Sequence, residues 1–349
     1  MKSCDKKITV VSVSVAFIIS FSLFTILLSN HHESNYISIE EQQFYSQDFP
    51  KNEKKIFILG ASPVNAINAD IVNDIIKKTD NEFMIYNLAK GSDDPDKRKD
   101  TLELIINNKP EIVLYGVGYR DFQEKISVNS LSDTKKVESI LVDPHNFFEE
   151  YVLSEIGFYD LEFDYLKNPK LSTLQIIKSF TQEEIIKNEE SEKIILNDEH
   201  PLRTPEQVKN KYVKKTDKEL NIMSESLKLD LQRYGIDPEY KNRYSISLNY
   251  IIKELEKNDI NVILFTHPHH KYYLESVPKQ SEENFLKIIH NLRDNHDIKL
   301  ELFHVEYSSK TNWSDLIHIF YNYDLEKDNE DSIDYSNDIA NLILSEMQK

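Results

Sequence analysis

Short, unbroken apolar runs recur along the chain, each ending at a small or polar residue. Ile56-Phe57-Ile58-Leu59 stops at Gly60, Phe83-Met84-Ile85-Tyr86 at Asn87, Ile112-Val113-Leu114-Tyr115 at Gly116, and Val262-Ile263-Leu264-Phe265 at Thr266. Apolarity that is continuous rather than alternating predicts parallel strands covered on both faces. A further run around Leu300 to Val305 predicts another strand. Between the runs the spacing changes to three and four. It does so at Ile71, Val72, Ile75 and Ile76, and at Leu102, Ile105 and Ile106 after Asp94-Pro95. Leu248, Ile251, Ile252 and Leu255 repeat it, as do Ile339, Leu342, Ile343 and Met347 near the end. Such spacing gives each helix one apolar stripe. Strand and helix in alternation predict an α/β fold with a doubly wound, mostly parallel sheet.

Two stretches depart from this pattern. Ile8 to Ser29 carries no charge, and at 1.5 Å per residue it spans about 33 Å, enough for one transmembrane helix. Lys2, Lys6 and Lys7 precede it, whereas residues 30–50 hold Glu33, Glu40, Glu41 and Asp48 but no Lys or Arg. That asymmetry predicts a cytoplasmic amino terminus and an extracytoplasmic domain. The run closes without a small-residue cleavage site, which favours a retained signal anchor over a cleaved signal. The second departure runs from Phe122 to about Tyr244 and is charged, Tyr-rich and mainly helical in pattern. Thr204-Pro205-Glu206-Gln207 marks one helix start with an N-cap, a proline and a capping-box Gln. A segment this long is an insertion or cap rather than a loop. The expected organisation is a tip and anchor at 1–29 and a stalk at 30–53. The α/β domain follows at 54–127 and 245–349, interrupted by a helical insertion at 128–244.

Composition narrows the function classes. A net charge of −18 disfavours nucleic acid, because phosphate binding depends on Lys and Arg displacing counterions. The single Cys4 leaves neither an intrachain disulfide nor a thiolate zinc site. With 6 Gly, and no Gly-x-Gly-x-x-Gly or Gly-x-x-x-x-Gly-Lys run, no nucleotide cofactor is expected.

In open α/β sheets ligands bind beyond the carboxyl ends of the strands. The residues that follow the apolar runs are therefore the candidates for chemistry: Gly60-Ala61-Ser62-Pro63, Asn87 to Ser92, Gly116 to Asp121, and Thr266-His267-Pro268-His269-His270. Trp313-Ser314-Asp315-Leu316-Ile317-His318 lies near the end. A serine hydroxyl needs a base to become a nucleophile, and histidine is the usual one. Asp315 and His318, three apart, can share one side of a tight turn, with Asp315 fixing the imidazole tautomer. His267, His269 and His270, with His304 or Asp315, form an alternative set for zinc. Without a His-Glu-x-x-His helix to support them, they are expected to hold no metal, and His267 and His269 are expected to face substrate instead.

The order of these blocks resembles the SGNH (GDSL-like) hydrolase superfamily. The blocks are Gly60-Ala61-Ser62, Asn87 with Gly91, Gly118-Tyr119-Arg120-Asp121, and Asp315-Leu316-Ile317-His318. The resemblance covers residues 54–127 and 245–349 and implies a flavodoxin-like strand order. It implies Ser62 as nucleophile, His318 as base and Asp315 as its partner. The oxyanion hole would draw on Ser62, Gly91, Ser92 and the position of Arg120, where the family has Asn. Asn87, His267 and His269 would line the substrate site. A single amino-terminal anchor before such a domain is also similar to proteins that acylate surface polymers. The resemblance therefore implies an esterase, deacylase or O-acyltransferase for an acylated surface glycan or polymer, compatible with a membrane-borne acyl-donor partner. A catalytically silent SGNH-like surface module is the alternative, motivated by Arg120 and the insertion.

Overall fold

The computed structural model describes residues 37–125, 200–202, 213–231, 234–321 and 330–348. The expected anchor at 8–29, the capping box at 204–207 and most of the expected insertion lie outside these. Among the described residues no helix is long and apolar enough to cross a membrane.

Each of the first four apolar runs is a strand, and the run around Leu300 to Val305 is a strand only to Leu302, continuing as a helical turn over Phe303–Glu306. The strands are β1 (Lys54–Gly60), β2 (Phe83–Asn87), β3 (Ile112–Val117), β6 (Asn261–Thr266) and β7 (Lys299–Leu302). They form one sheet in the order β2-β1-β3-β6-β7, and every neighbouring pair is parallel. A small separate ladder joins β4 (Glu124–Lys125) to β5 (Tyr234–Gly235). The register sets Ile56 beside Ile85 and Ile112, and Ile112 beside Asn261, so the strand ends line up in one row. All six residues of β3 are buried, which explains why the central runs lack alternation.

The helices are α1 (Ile39–Ser46), α2 (Ala69–Ile76), α3 (Leu102–Asn107), α4 (Asp217–Leu231), α5 (Arg243–Lys257), α6 (Lys279–His296) and α7 (Glu330–Met347), with several single turns between them. Strand order rises leftward from β1 to β2 and rightward thereafter. Right-handed crossovers therefore place α2 on one face and α3, α5 and α6 on the other. The packing agrees: α7 lies against α2, and α5 lies against the Pro95–Arg98 turn and α6.

Two features differ from the sequence pattern. Part of the expected stalk is folded, because α1 carries Phe44 and Tyr45 into the core against Phe57 and Tyr86. Its start is a capping box, Ser38 with Glu41, and the Glu41 carboxylate is itself buried. There it accepts from Lys90 Nζ at 2.7 Å and from Arg98 Nη1 at 3.4 Å. α6 is the other addition, its buried Phe285, Ile288, Ile289 and Leu292 forming one stripe. Of the residues expected in the insertion, α4 sends Leu220 into the same core.

Candidate active site

The site stands on the carboxyl ends of β1, β3 and β6. β1 ends at Gly60 with φ of +141°, a backbone that side-chain-bearing residues avoid. A Cβ there would also meet the Gly116 carbonyl oxygen at 2.6 Å. The chain therefore turns sharply into the short helical turn Ser62–Ala66, whose first residue is Ser62. Asn87, at the end of β2, holds that turn: its amide donates to the carbonyls of Val64 at 3.1 Å and Ile67 at 2.9 Å.

The partner residues arrive on a pinned loop. Trp313 bridges Ile319 in antiparallel fashion, and Ser314 N–H donates to the His318 carbonyl at 2.9 Å. The fully buried Trp313 ring donates from Nε1 to the Lys310 carbonyl at 2.9 Å, fixing the loop base. Asp315 and His318 thus share a tight turn. Asp315 Oδ1 accepts the N–H groups of Ile317 and His318 at 2.8 and 2.9 Å, and Oδ2 lies 2.6 Å from His318 Nδ1. His318 Nε2 lies 2.9 Å from Ser62 Oγ. Burial pushes the Asp315 carboxyl up, but the His318 ring and the two backbone N–H groups outweigh it and hold the carboxyl below its usual range. An ionised Asp315 requires the proton on Nδ1. Nε2 is then left to accept from the Ser62 hydroxyl.

A cleft of about 230 Å³ opens beside Ser62. Its walls include Ser92, Asp93, Asp94, Arg120, Asp121, Tyr244, His267 and Ile317. Of the expected oxyanion-hole residues, Ser62, Ser92 and Arg120 reach this cleft. Gly91 is exposed one residue before Ser92 and does not line it. Ser92 has φ of +58°, so the loop after β2 is tightly bent where it meets the cleft.

The remaining expected substrate residues divide. His267 lines the cleft, with Nε2 3.5 Å from Asp121 Oδ2. Its ring packs so closely on Gly118 that a Cβ there would lie 2.3 Å from it. Asn87 and His269 were expected at the substrate and are not there. Asn87 is buried with its amide committed to the turn, and His269 is fully buried behind His267, its ring 4.7 Å from that of Tyr273. Among the described residues no group of three or more His, Cys, Asp or Glu side chains is placed to hold a metal ion.

The buried imidazoles of His269, His270 and His304 are held neutral. Burial first, and the neighbouring His267 and His304 second, push His269 well below the ordinary imidazole value. Burial likewise brings His270 and His304 down to about 4. Thr266 Oγ1 accepts the His304 N–H at 3.1 Å and lies 2.9 Å from His304 Nδ1. His270 and His304 each contribute stability that is complete above the unfolded value near 6.5 and is lost as pH falls through about 4. The melting temperature is expected to fall over that window. For His304 alone the loss is about 3 kcal/mol of unfolding free energy. His304→Gln should flatten that part of the pH profile in thermal unfolding; an unchanged profile would remove His304 as a contributor.

A second polar cluster, which the sequence pattern does not reveal, sits behind the cleft. Fully buried Arg98 donates from Nε to Asp93 Oδ2 at 2.9 Å, pairs with the same carboxylate through Nη2, and reaches Glu41 of α1. Asp93 follows Ser92 directly, so this cluster fixes the loop that borders the cleft.

No protein-family model and no curated protein matches the chain. Among solved structures, it is similar to a Bacteroides fragilis protein assigned to the acylhydrolases. The two share 11% identity over 90% of this chain and 96% of that one, with a TM-score of 0.41. It is also similar to a GDSL-like lipase of Bacteroides thetaiotaomicron, at 9% identity over 88% and 97%, with a TM-score of 0.40.

Proposed function

We propose that the chain is an SGNH-type serine acyl hydrolase or acyltransferase in which Ser62, His318 and Asp315 act as the catalytic triad. The 2.9 Å approach of His318 Nε2 to Ser62 Oγ, with Asp315 2.6 Å from the other ring nitrogen, carries this reading. Ser62 Oγ attacks the acyl carbon while its proton passes to His318 Nε2. The negative charge that forms on the acyl oxygen is met by backbone N–H groups, those of Ser62 and Ser92, both of which line the cleft. Among the described residues, no backbone carbonyl accepts from these N–H groups. One such donor is worth about 3 kcal/mol in the transition state. His318 then returns the proton to the departing alkoxide, leaving an acyl group on Ser62. Water or an acceptor hydroxyl attacks this ester by the reverse steps. Hydrolysis and transfer thus share the first half of the reaction.

A cleft of about 230 Å³ is smaller than the ~300–1,000 Å³ of sites for drug-sized ligands, which favours a short acyl group. The uncharged Ile8–Ser29 segment, with its lysines on one side, supports a membrane-tethered, extracytoplasmic enzyme acting on an acylated surface glycan or polymer.

Fluorophosphonate labelling of the purified chain beside Ser62→Ala tests the reading. Wild type should take up the label and Ser62→Ala should not. Label retained in the variant, or absent from wild type, overturns it. Acetate release from an acetylated glycan, with and without an acceptor sugar, then separates hydrolase from transferase.

A further inference from the structure

Four arginines are among the described residues: Arg98, Arg120, Arg243 and Arg293. Three are engaged. Arg98 is buried against Asp93 and Glu41, Arg243 donates to the Tyr244 hydroxyl at 2.7 Å, and Arg293 pairs with Asp294 at 2.7 Å. Arg120 is exposed, lines the cleft beside Ser62, and has no hydrogen-bond or ion-pair partner among the described residues. An exposed guanidinium in a chain of net charge −18 does not lack carboxylates to pair with. The carboxylates that line the cleft with it are already committed. Asp93 accepts from Arg98 at 2.9 Å. Asp94 caps a helical turn through the N–H groups of Asp96 and Lys97, both at 2.9 Å, and lies 3.4 Å from Lys97 Nζ. Asp121 Oδ2 accepts the Gly118 N–H at 2.6 Å and faces His267.

We infer that Arg120 anchors an anionic group of the substrate, a carboxylate or phosphodiester next to the acylated hydroxyl. The inference rests on the acyl-transfer reading above and names the substrate class within it: an acylated polyanion rather than a neutral glycan. A guanidinium offers a planar fork of N–H donors that matches two oxygens of such a group. It stands on the turn after β3, whose last residues lie in register with the end of β1, so the anchored charge sits beside the reacting ester. Arg120 then serves binding and specificity, while the backbone N–H groups receive the oxyanion.

The test uses three acetylated probes: polygalacturonate oligomers, the same oligomers after carboxyl reduction, and glycerol-phosphate oligomers. The full chain should favour a charged probe over the reduced one by about tenfold to a hundredfold in kcat/KM, chiefly through KM. Which charged probe is favoured distinguishes carboxylate from phosphodiester. Arg120→Gln should collapse the preference by at least about tenfold, and Arg120→Lys should restore part of it. Equal losses on charged and reduced probes would make Arg120 an oxyanion donor and overturn the inference. So would a preference that Arg120→Gln leaves intact, or no preference in wild type. Calorimetric binding of the same probes to Ser62→Ala keeps the two readings apart. If no ester is turned over but charged probes bind through Arg120, the hydrolase reading fails and the anion site stands. No Arg120-dependent binding overturns the anion site, whatever the activity.

Discussion

His318→Ala is expected to lower kcat on a simple acyl ester such as p-nitrophenyl acetate by about 10,000-fold or more, with little change in melting temperature. Without the imidazole, the Ser62 hydroxyl loses its one side-chain hydrogen-bond partner among the described residues, the group placed to take its proton. Asp315→Asn should cost nearly as much, for a different reason. The carboxylate fixes the proton on Nδ1; a side-chain amide turned to donate there would place the proton on Nε2, facing Ser62, where it blocks acceptance. Asparagine keeps an oxygen for the N–H groups of Ile317 and His318, so the turn should survive, whereas Asp315→Ala would also loosen it. The double variant should be scarcely worse than either single one, because the residues act as a unit. Steady-state kinetics beside thermal melts decide the matter. A loss under about tenfold in His318→Ala would remove it as the base.

Arg98→Met carries the largest expected loss of stability, about 3–5 kcal/mol in urea unfolding. The side chain is fully buried, and its removal leaves Asp93 and Glu41 with unbalanced charge in the interior. Lys90 still reaches Glu41 at 2.7 Å, so Asp93 is the more exposed to the change. Adding Asp93→Asn to Arg98→Met should recover part of the loss, since the stranded charge goes with it. A double variant no better than Arg98→Met would assign the cost to packing instead.

The sheet was legible because the central strands are buried on both faces, and only an unbroken apolar run satisfies that environment. Ser62, Asp315 and His318 were legible by their order in the chain; their distances were not, since the loop that aims His318 depends on Trp313 and backbone pairing far from Ser62 in sequence. Asn87 and His269 show the opposite limit. Both follow strands, as site residues do, yet an amide that fits a turn and an imidazole that fits the core look the same in sequence as ones that face substrate. α1 had a readable sign in Ser38-Ile39-Glu40-Glu41, a capping box ahead of an aromatic pair. Its acidic surroundings obscured that sign, because a glutamate buried by an arginine distant in the chain reads as a surface charge. Arg98 was hidden for the same reason.

If the chain is anchored as proposed, the folding of α1 against the sheet also sets how far the domain can reach from the bilayer. An unfolded stretch from residue 30 to residue 53 could extend about 84 Å. With Ile39–Ser46 folded into the domain, only residues 30–38 remain between the end of the apolar segment and the globule, a reach of no more than about 32 Å. Under the anchoring proposed above, the active site is leashed to the layer nearest the bilayer. Its substrates would be met by lateral diffusion at that depth, and polymer segments farther out would lie beyond its range.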